Sequence, residues 1–182
     1  MLGSDVISSV RAFLDWYDGV NRRTIRDVAL LPQEAETWTP PVPGEGEAGW
    51  GFARIVGHLA EARGYFASAV TGRGWVWDPW PEDLASRTTW VPALERSAAE
   101  FRAALADAPD ELLSWRLELI AAPDRTMSGW RALTMLAEHE IHHRAQISAY
   151  AGLEGWPVAQ TFDRTNEWVV EQREAQIERH RR

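Results

Sequence analysis

The sequence predicts an all-α fold, a four-helix bundle with an additional C-terminal helix. Three observations carry this reading. Four long segments repeat apolar residues at intervals of three and four, loops rich in proline and glycine separate them, and almost nothing reads as a strand. The 182 residues are 45% apolar and 25% charged, the balance of one globular domain spanning residues 1–182.

The first helix is expected from Ser4 to Leu31, because Val6, Val10, Phe13, Leu14, Tyr17, Val20, Ile25 and Val28 share a stripe and Ser4 can cap it. Residues 32–51 hold four prolines and four glycines among acidic residues and read as a surface loop. The second helix, Phe52 to Val70, presents Ile55, His58, Ala62, Tyr65, Phe66 and Ala69 on one face, with Gly72 placed to end it. A Trp- and Gly-rich irregular piece, Gly72 to Pro81, follows. Leu94, Ala98, Phe101 and Leu105 then mark a third helix over Val91 to Ala106, stopped by Pro109. Leu112 to Ile120 fits either a short helix or an extended segment. The fourth helix runs from an N-cap at Ser128 to Ala151 and ends at Gly152. Asp163 to Arg179 reads as a charged fifth helix with Trp168 and Val169 as its apolar anchors.

Composition excludes several classes of function. The chain has no cysteine, which removes disulfide frameworks, Cys-ligated zinc, iron–sulfur clusters and a cysteine nucleophile. All 19 basic residues are arginine, so no lysine can form a Schiff base. A net charge of -8, with basic residues clustered only in the tail Arg179 to Arg182, argues against nucleic acid as a partner. No signal peptide and no membrane-length apolar run is evident, so a cytoplasmic protein is expected. Eleven tryptophans are far more than usual, and Trp75, Trp77, Trp80 and Trp90 fall outside the helical stretches.

Three of the five histidines lie in the run Glu138-His139-Glu140-Ile141-His142-His143-Arg144-Ala145-Gln146. On a wheel with Leu133 at zero, His139 falls near roughly 240° and His143 near roughly 280°, beside Leu136, Gln146 and Tyr150. His142 falls on the most polar arc and is expected outside. Two inward imidazoles one turn apart can converge on one ion but cannot complete its site. His58, on the inward stripe of the second helix, supplies a third nitrogen. Three neutral imidazoles in a core would each need a separate partner, whereas one divalent cation, Zn²⁺, Ni²⁺ or Fe²⁺, satisfies all three and keeps a position open.

The run His139 to Gln146, preceded by Gly57-His58-Leu59 on an upstream helix, resembles the DinB/YfiT-like family of metal-dependent bundles. The resemblance implies an up-down-down-up four-helix bundle with three His ligands, which fall on His58, His139 and His143. Ala145 departs from the glycine common in that family, and the Trp-rich loop is not part of its pattern. The resemblance also implies either transfer of a low-molecular-weight thiol to an electrophile or hydrolysis, a thiol cosubstrate in the first case, and a role in stress response. A metal with an open position turns a bound thiol into thiolate or bound water into hydroxide. Gln146 and Tyr150 share the ligands' stripe and are the candidate catalytic residues, orienting the nucleophile or its target, or else holding a ligand by a hydrogen bond. Tyr65, Trp75 and Trp77, with Trp80, are candidate walls for the small-molecule substrate.

Two other readings compete. His139-Glu140-Ile141-His142-His143 also matches the zinc-peptidase pattern H-E-x-x-H, with Glu167 or Glu171 as a third ligand. That pattern leaves His58 without a task, and Glu140 is placed better as a salt-linked partner of Arg144. A non-catalytic metal-holding bundle that binds a small molecule fits the same residues. Ile141 and Ile147 widen the apolar face of the fourth helix, and a homodimer would cover the surplus.

Overall fold

The structure is a computed structural model that describes residues 7–41, 44–120, 122–161 and 163–181. Four helices form the bundle: α1 (Val10–Ala29), α2 (Phe52–Val70), α3 (Trp90–Leu105) and α4 (Gly129–Leu153). A fifth, α5 (Asn166–Arg181), follows. Phe13 lies beside Trp130 and Tyr17 bonds Glu140, so α1 and α4 run in the same direction. Phe52 meets Tyr150 and Arg63 meets Glu140, so α2 runs against α4. Tyr17 packs on Phe101, while Arg22 and Ile25 line one cleft with Glu95 and Ala98, so α3 runs against α1. The topology is therefore up-down-down-up.

Local chemistry sets the helix ends. Ser9 Oγ accepts from the Ala12 amide at 3.0 Å and the Asp110 carboxylate accepts from the Val10 amide at 2.8 Å, so α1 starts at Val10. The expected cap at Ser4 lies outside the described residues. Ser128 caps α4 as expected, accepting from the Arg131 amide at 3.2 Å. After α2, Gly72 at φ +82° turns the chain, with Arg73 N–H bonded to Ser68 O and Gly72 N–H to Ala69 O. The same pair of bonds ends α4, but around Gly155 at φ +70° rather than Gly152, which stays inside the last turn.

Within this all-α bundle, residues 110–128 decide the segment that the sequence left open between helix and extended chain. Leu112 sits in a 3₁₀ turn, Asp110–Ser114, and the chain then forms an antiparallel hairpin of β1 (Arg116–Leu119) and β2 (Ala122–Ser128). Leu117 faces Met127 across the register, and both pack on the core. The alternation of Leu117 and Leu119 with charged residues is a half-buried strand pattern, and its brevity left it ambiguous in the sequence.

The core has two clusters, one around Phe13, Tyr17, Phe66, Phe101 and Leu133, the other around Phe52, Ile55, Leu59, Trp90, Leu94 and Ile147. A buried polar network joins them. Glu140 accepts from Tyr17 Oη at 2.5 Å and from Arg63 Nη2 at 2.9 Å, while Arg63 Nη1 donates to Leu94 O and Ser97 Oγ, both at 2.7 Å. One residue or more from each of the four bundle helices takes part, which fixes the helices' relative register.

The fifth helix does not anchor as expected. Trp168 is 44% and Val169 51% exposed, and every α5 residue whose burial is described is exposed. An ion pair from Arg26 of α1 to Asp163 holds the chain just before it.

Candidate metal centre

His58 on α2 and His139 and His143 on α4 converge where the two antiparallel helices face each other. One ligand-capable atom from each ring lies within 4.8 Å of the other two. The ring centroids stand 4.5 to 5.1 Å apart, and the Nε2 atoms of His58 and His139 are 2.8 Å apart. His143 is buried and the other two are partly buried. His142 points outward, with a side chain 64% exposed, as its position on the wheel requires.

The tautomer of His143 follows from its neighbours. The Gln146 amide nitrogen donates to Glu47 O at 2.7 Å and to Tyr150 Oη at 3.0 Å, and the Tyr150 hydroxyl donates to Ala48 O at 2.9 Å. Gln146 Oε1, 2.9 Å from His143 Nδ1, must therefore accept. His143 carries its proton on Nδ1 and aims a bare Nε2 at the cluster, where that atom is buried without a hydrogen-bond partner. A buried lone pair facing two more imidazoles is satisfied by a cation, and the donor set fits a divalent one.

The rings are also kept neutral. Burial first, then the neighbouring His143, lowers the pKa of His58 to about 4 and that of His139 to about 3. Burial lowers His143 too, against an opposing contribution from the Gln146 hydrogen bond. Metal ligation needs deprotonated imidazole, and at neutral pH these rings supply it.

The aromatic residues proposed as walls divide. Trp77 packs on His58 at 5.6 Å between centroids and on Tyr65 at 5.5 Å, and Tyr65 packs on Trp75 at 5.0 Å. Tyr65, Phe66, Trp75, Leu119, Ile120, Met127 and Met135 line an apolar groove of about 280 Å³, and the Trp75 indole donates to Glu118 O of the hairpin at 2.7 Å. Trp80 is elsewhere, under the Arg96 guanidinium in a separate cleft between α2 and α3.

The 32–51 loop contributes groups that sequence reasoning did not single out. Glu47 lies 4.0 Å from His58 Nε2, 4.0 Å from His143 Nε2 and 3.9 Å from His142 Nε2. Trp50 packs edge-on against His58 and stacks over His143 at an interplanar angle of 13°. Gly51 lets this loop pass Trp38, since a Cβ there would stand 2.3 Å from Trp38 O. The glycines at 44, 46, 49 and 51 around an acid and a tryptophan were the only sequence signal, and they carry no periodicity to assign a direction.

Glu140 corrects its expected pairing. Its partner is Arg63 rather than Arg144, and it is enclosed in the core with both oxygens engaged. It is therefore unavailable as the general base of an H-E-x-x-H peptidase, and Glu167 and Glu171 lie on the exposed α5.

A model of the DinB family matches residues 7–175. The fold is similar to a DinB-like protein from Bacillus cereus, 19% identical, with a TM-score of 0.67 over 85% of this chain and 99% of that one. It is also similar to a DinB-like protein from Bacillus subtilis, 15% identical, with a TM-score of 0.61 over 79% of this chain and 92% of that one. No curated protein sequence matches the chain. No helix among the described residues is long and apolar enough to cross a membrane.

Proposed function

The chain belongs to the DinB family, and on that premise we propose that it is a divalent-metal-dependent enzyme joining a low-molecular-weight thiol to an apolar electrophile. The observation that carries this is the bare, buried Nε2 of His143 converging with His58 and His139, with an aromatic path from His58 through Trp77 to Tyr65 on the wall of an apolar groove. Zn²⁺ or Ni²⁺ suits three imidazoles, and the ion, once bound, supplies Lewis acidity that keeps a coordinating thiol or water deprotonated at neutral pH.

The chain's own residues do the rest. Gln146 holds His143 in the ligating tautomer, and Tyr150 completes the hydrogen-bond chain that pins Gln146 to the 46–49 turn. These two are positioning residues on this reading. Trp77 and Tyr65 lead from His58 to the groove, whose walls suit the apolar body of the electrophile and shed water around it. In the transfer the sulfur forms a bond to the electrophilic carbon, the leaving group departs with the bonding pair, and the thiol proton passes to solvent. A second copy of the chain covering the exposed Ile141 and Trp130 of α4 is part of the same proposal, although Ile147, which was expected to widen that face, is buried within the bundle.

The test is thiol consumption by the metal-loaded protein with a chlorobimane-type electrophile, compared with His58→Ala. A rate dependent on His58 is expected. Equal rates would remove thiol transfer, and hydrolysis of the electrophile without thiol would move the assignment to a hydrolase.

A further inference from the structure

Glu47, on the turn over the open side of the cluster, has its carboxylate within 4.0 Å of two of the three converging histidines, His58 and His143. Its two carboxylate oxygens are directed at different rings, Oε1 at 4.0 Å from His58 Nε2 and Oε2 at 4.0 Å from His143 Nε2, with Oε2 also 3.9 Å from Nε2 of the outward His142. Ligand atoms bound to one zinc at about 2.0–2.2 Å stand roughly 3.3–4.1 Å apart for angles between about 110° and 150°. Both contacts fall at the wide end of that range, so a small rotation of the Glu47 side chain would bring an oxygen into the same coordination sphere.

Its backbone is fixed by the helix that carries two of the ligands. Gln146 donates to Glu47 O and Tyr150 to Ala48 O, one and two turns beyond His143. The turn is tight: a Cβ on Gly49 would fall 2.4 Å from Gly44 O, and Gly46 sits at φ +58°. The Glu47 side chain itself is 49% exposed, so rotation about its own bonds can take the carboxylate into solvent while the turn stays in place.

We propose that Glu47 is a fourth, displaceable protein ligand of the metal, closing the three-histidine site at rest and giving way to an incoming ligand. The displacement part rests on the thiol-transfer reading above, whereas the ligand assignment does not. A hard, anionic oxygen on a mobile side chain suits both tasks: it adds affinity for a divalent cation, and thiolate outcompetes it for soft or borderline metals. The site would then hold its ion tightly without exposing it continuously to competing small molecules.

The experiment uses the full chain loaded with Co²⁺, as wild type, Glu47→Gln and Glu47→Asp. Glu47 is on a half-exposed turn, and helical circular dichroism of the metal-free proteins verifies folding. Glu47→Gln is expected to weaken Co²⁺ affinity by about tenfold or more, no less than the loss of an outer-shell partner costs, and to shift the visible d–d bands. Glu47→Asp, which keeps the charge on a shorter arm, should fall between. With 2-mercaptoethanol as the probe, the sulfur-to-cobalt charge-transfer band should reach half its amplitude at a lower thiol concentration in Glu47→Gln than in wild type. Identical Co²⁺ affinity and d–d bands in all three proteins would overturn the assignment. Glu47-dependent affinity with no charge-transfer band in any protein would support the ligand and overturn thiol entry. A band at the same thiol concentration in all would overturn displacement.

Discussion

Arg63 and Glu140 meet at 2.9 Å with neither side chain reaching solvent. Glu140 follows His139 directly in the chain, so this pair sets the rotation of α4 that turns His139 and His143 toward α2. Tyr17 contributes a further donor, and its own pKa is raised well above the usual value by burial and by the adjacent carboxylate. Glu140→Gln leaves the guanidinium buried without its counter-charge. It is expected to cost about 3–5 kcal/mol of stability, measured by urea denaturation. Replacing both partners by apolar residues, Arg63→Met with Glu140→Leu, should cost less than Glu140→Gln alone, because no unpaired charge remains. Retained metal binding by folded Glu140→Gln separates this structural role from a peptidase base.

Metal should stabilise the chain only where all three histidines are present. A ligand in about thousandfold excess over its Kd adds about 4 kcal/mol when it binds only the native state. Zn²⁺ or Ni²⁺ is expected to raise Tm in the wild type and a chelator to reverse the rise. His58→Ala and His143→Ala should each remove it, although they sit on different helices. His142→Ala, on the exposed side of α4, should leave it intact. A rise that survives His58→Ala would place the ion elsewhere.

The helices and the three histidines were legible because both rest on periodicity. α2 begins and ends where its stripe and Gly72 predict, and His139 and His143 face inward at the expected four-residue spacing. Glu47 and Trp50 were not legible, since their direction is set by long-range bonds from Gln146 and Tyr150 that span about a hundred positions of sequence. The partner of Glu140 was missed for a related reason. A wheel places Arg144 on the same face, but it cannot reveal that Arg63 of another helix fills the interior opposite. The hairpin escaped because four residues of alternation are too few to separate from a helical turn.

The fifth helix offers the converse lesson. Its pattern gave a helix correctly, but Trp168 and Val169 find no groove among the described residues of the bundle and remain half exposed. Removing residues 164–182 is accordingly expected to change unfolding free energy by no more than about 1 kcal/mol, and to leave metal affinity unchanged. Thermal melts and metal titration of the truncated chain check this. A large loss would mean that α5 docks in solution.

The lowered pKa values fix the sign of the pH dependence. His58 and His139 titrate near 6.5 when unfolded and at about 4 and about 3 when folded, so between these limits the unfolded chain binds more protons. Their contribution to stability is complete above about pH 6.5 and is lost progressively as pH falls toward 4. Metal-free protein should therefore weaken over this window, seen as a falling urea midpoint. Proton competition at His58 and His139 should contribute little to the pH dependence of metal affinity down to about pH 5, because these two rings do not take up protons until lower pH. A free imidazole chelator measured alongside should lose affinity from about pH 6.5 downward.

Gln146 decides which nitrogen of His143 is bare, and its substitution tests that role. Gln146→Ala removes the acceptor at Nδ1, frees the ring to adopt either tautomer, and removes one of the two bonds by which α4 holds the 46–49 turn. Metal affinity is expected to fall about 10–100-fold, as is usual when an outer-shell partner of a ligand is lost. Tyr150→Phe should have a smaller effect, since Gln146 retains its bonds to His143 and to Glu47 O. Gln146→Glu discriminates tautomer control from packing: it keeps an acceptor for His143 Nδ1–H but loses the donor to the turn. Recovery of most of the affinity in Gln146→Glu, read by competition with a chromogenic chelator, is the expected result. An affinity as low as that of Gln146→Ala would mean that the hold on the turn, rather than the proton on His143, is what Gln146 supplies.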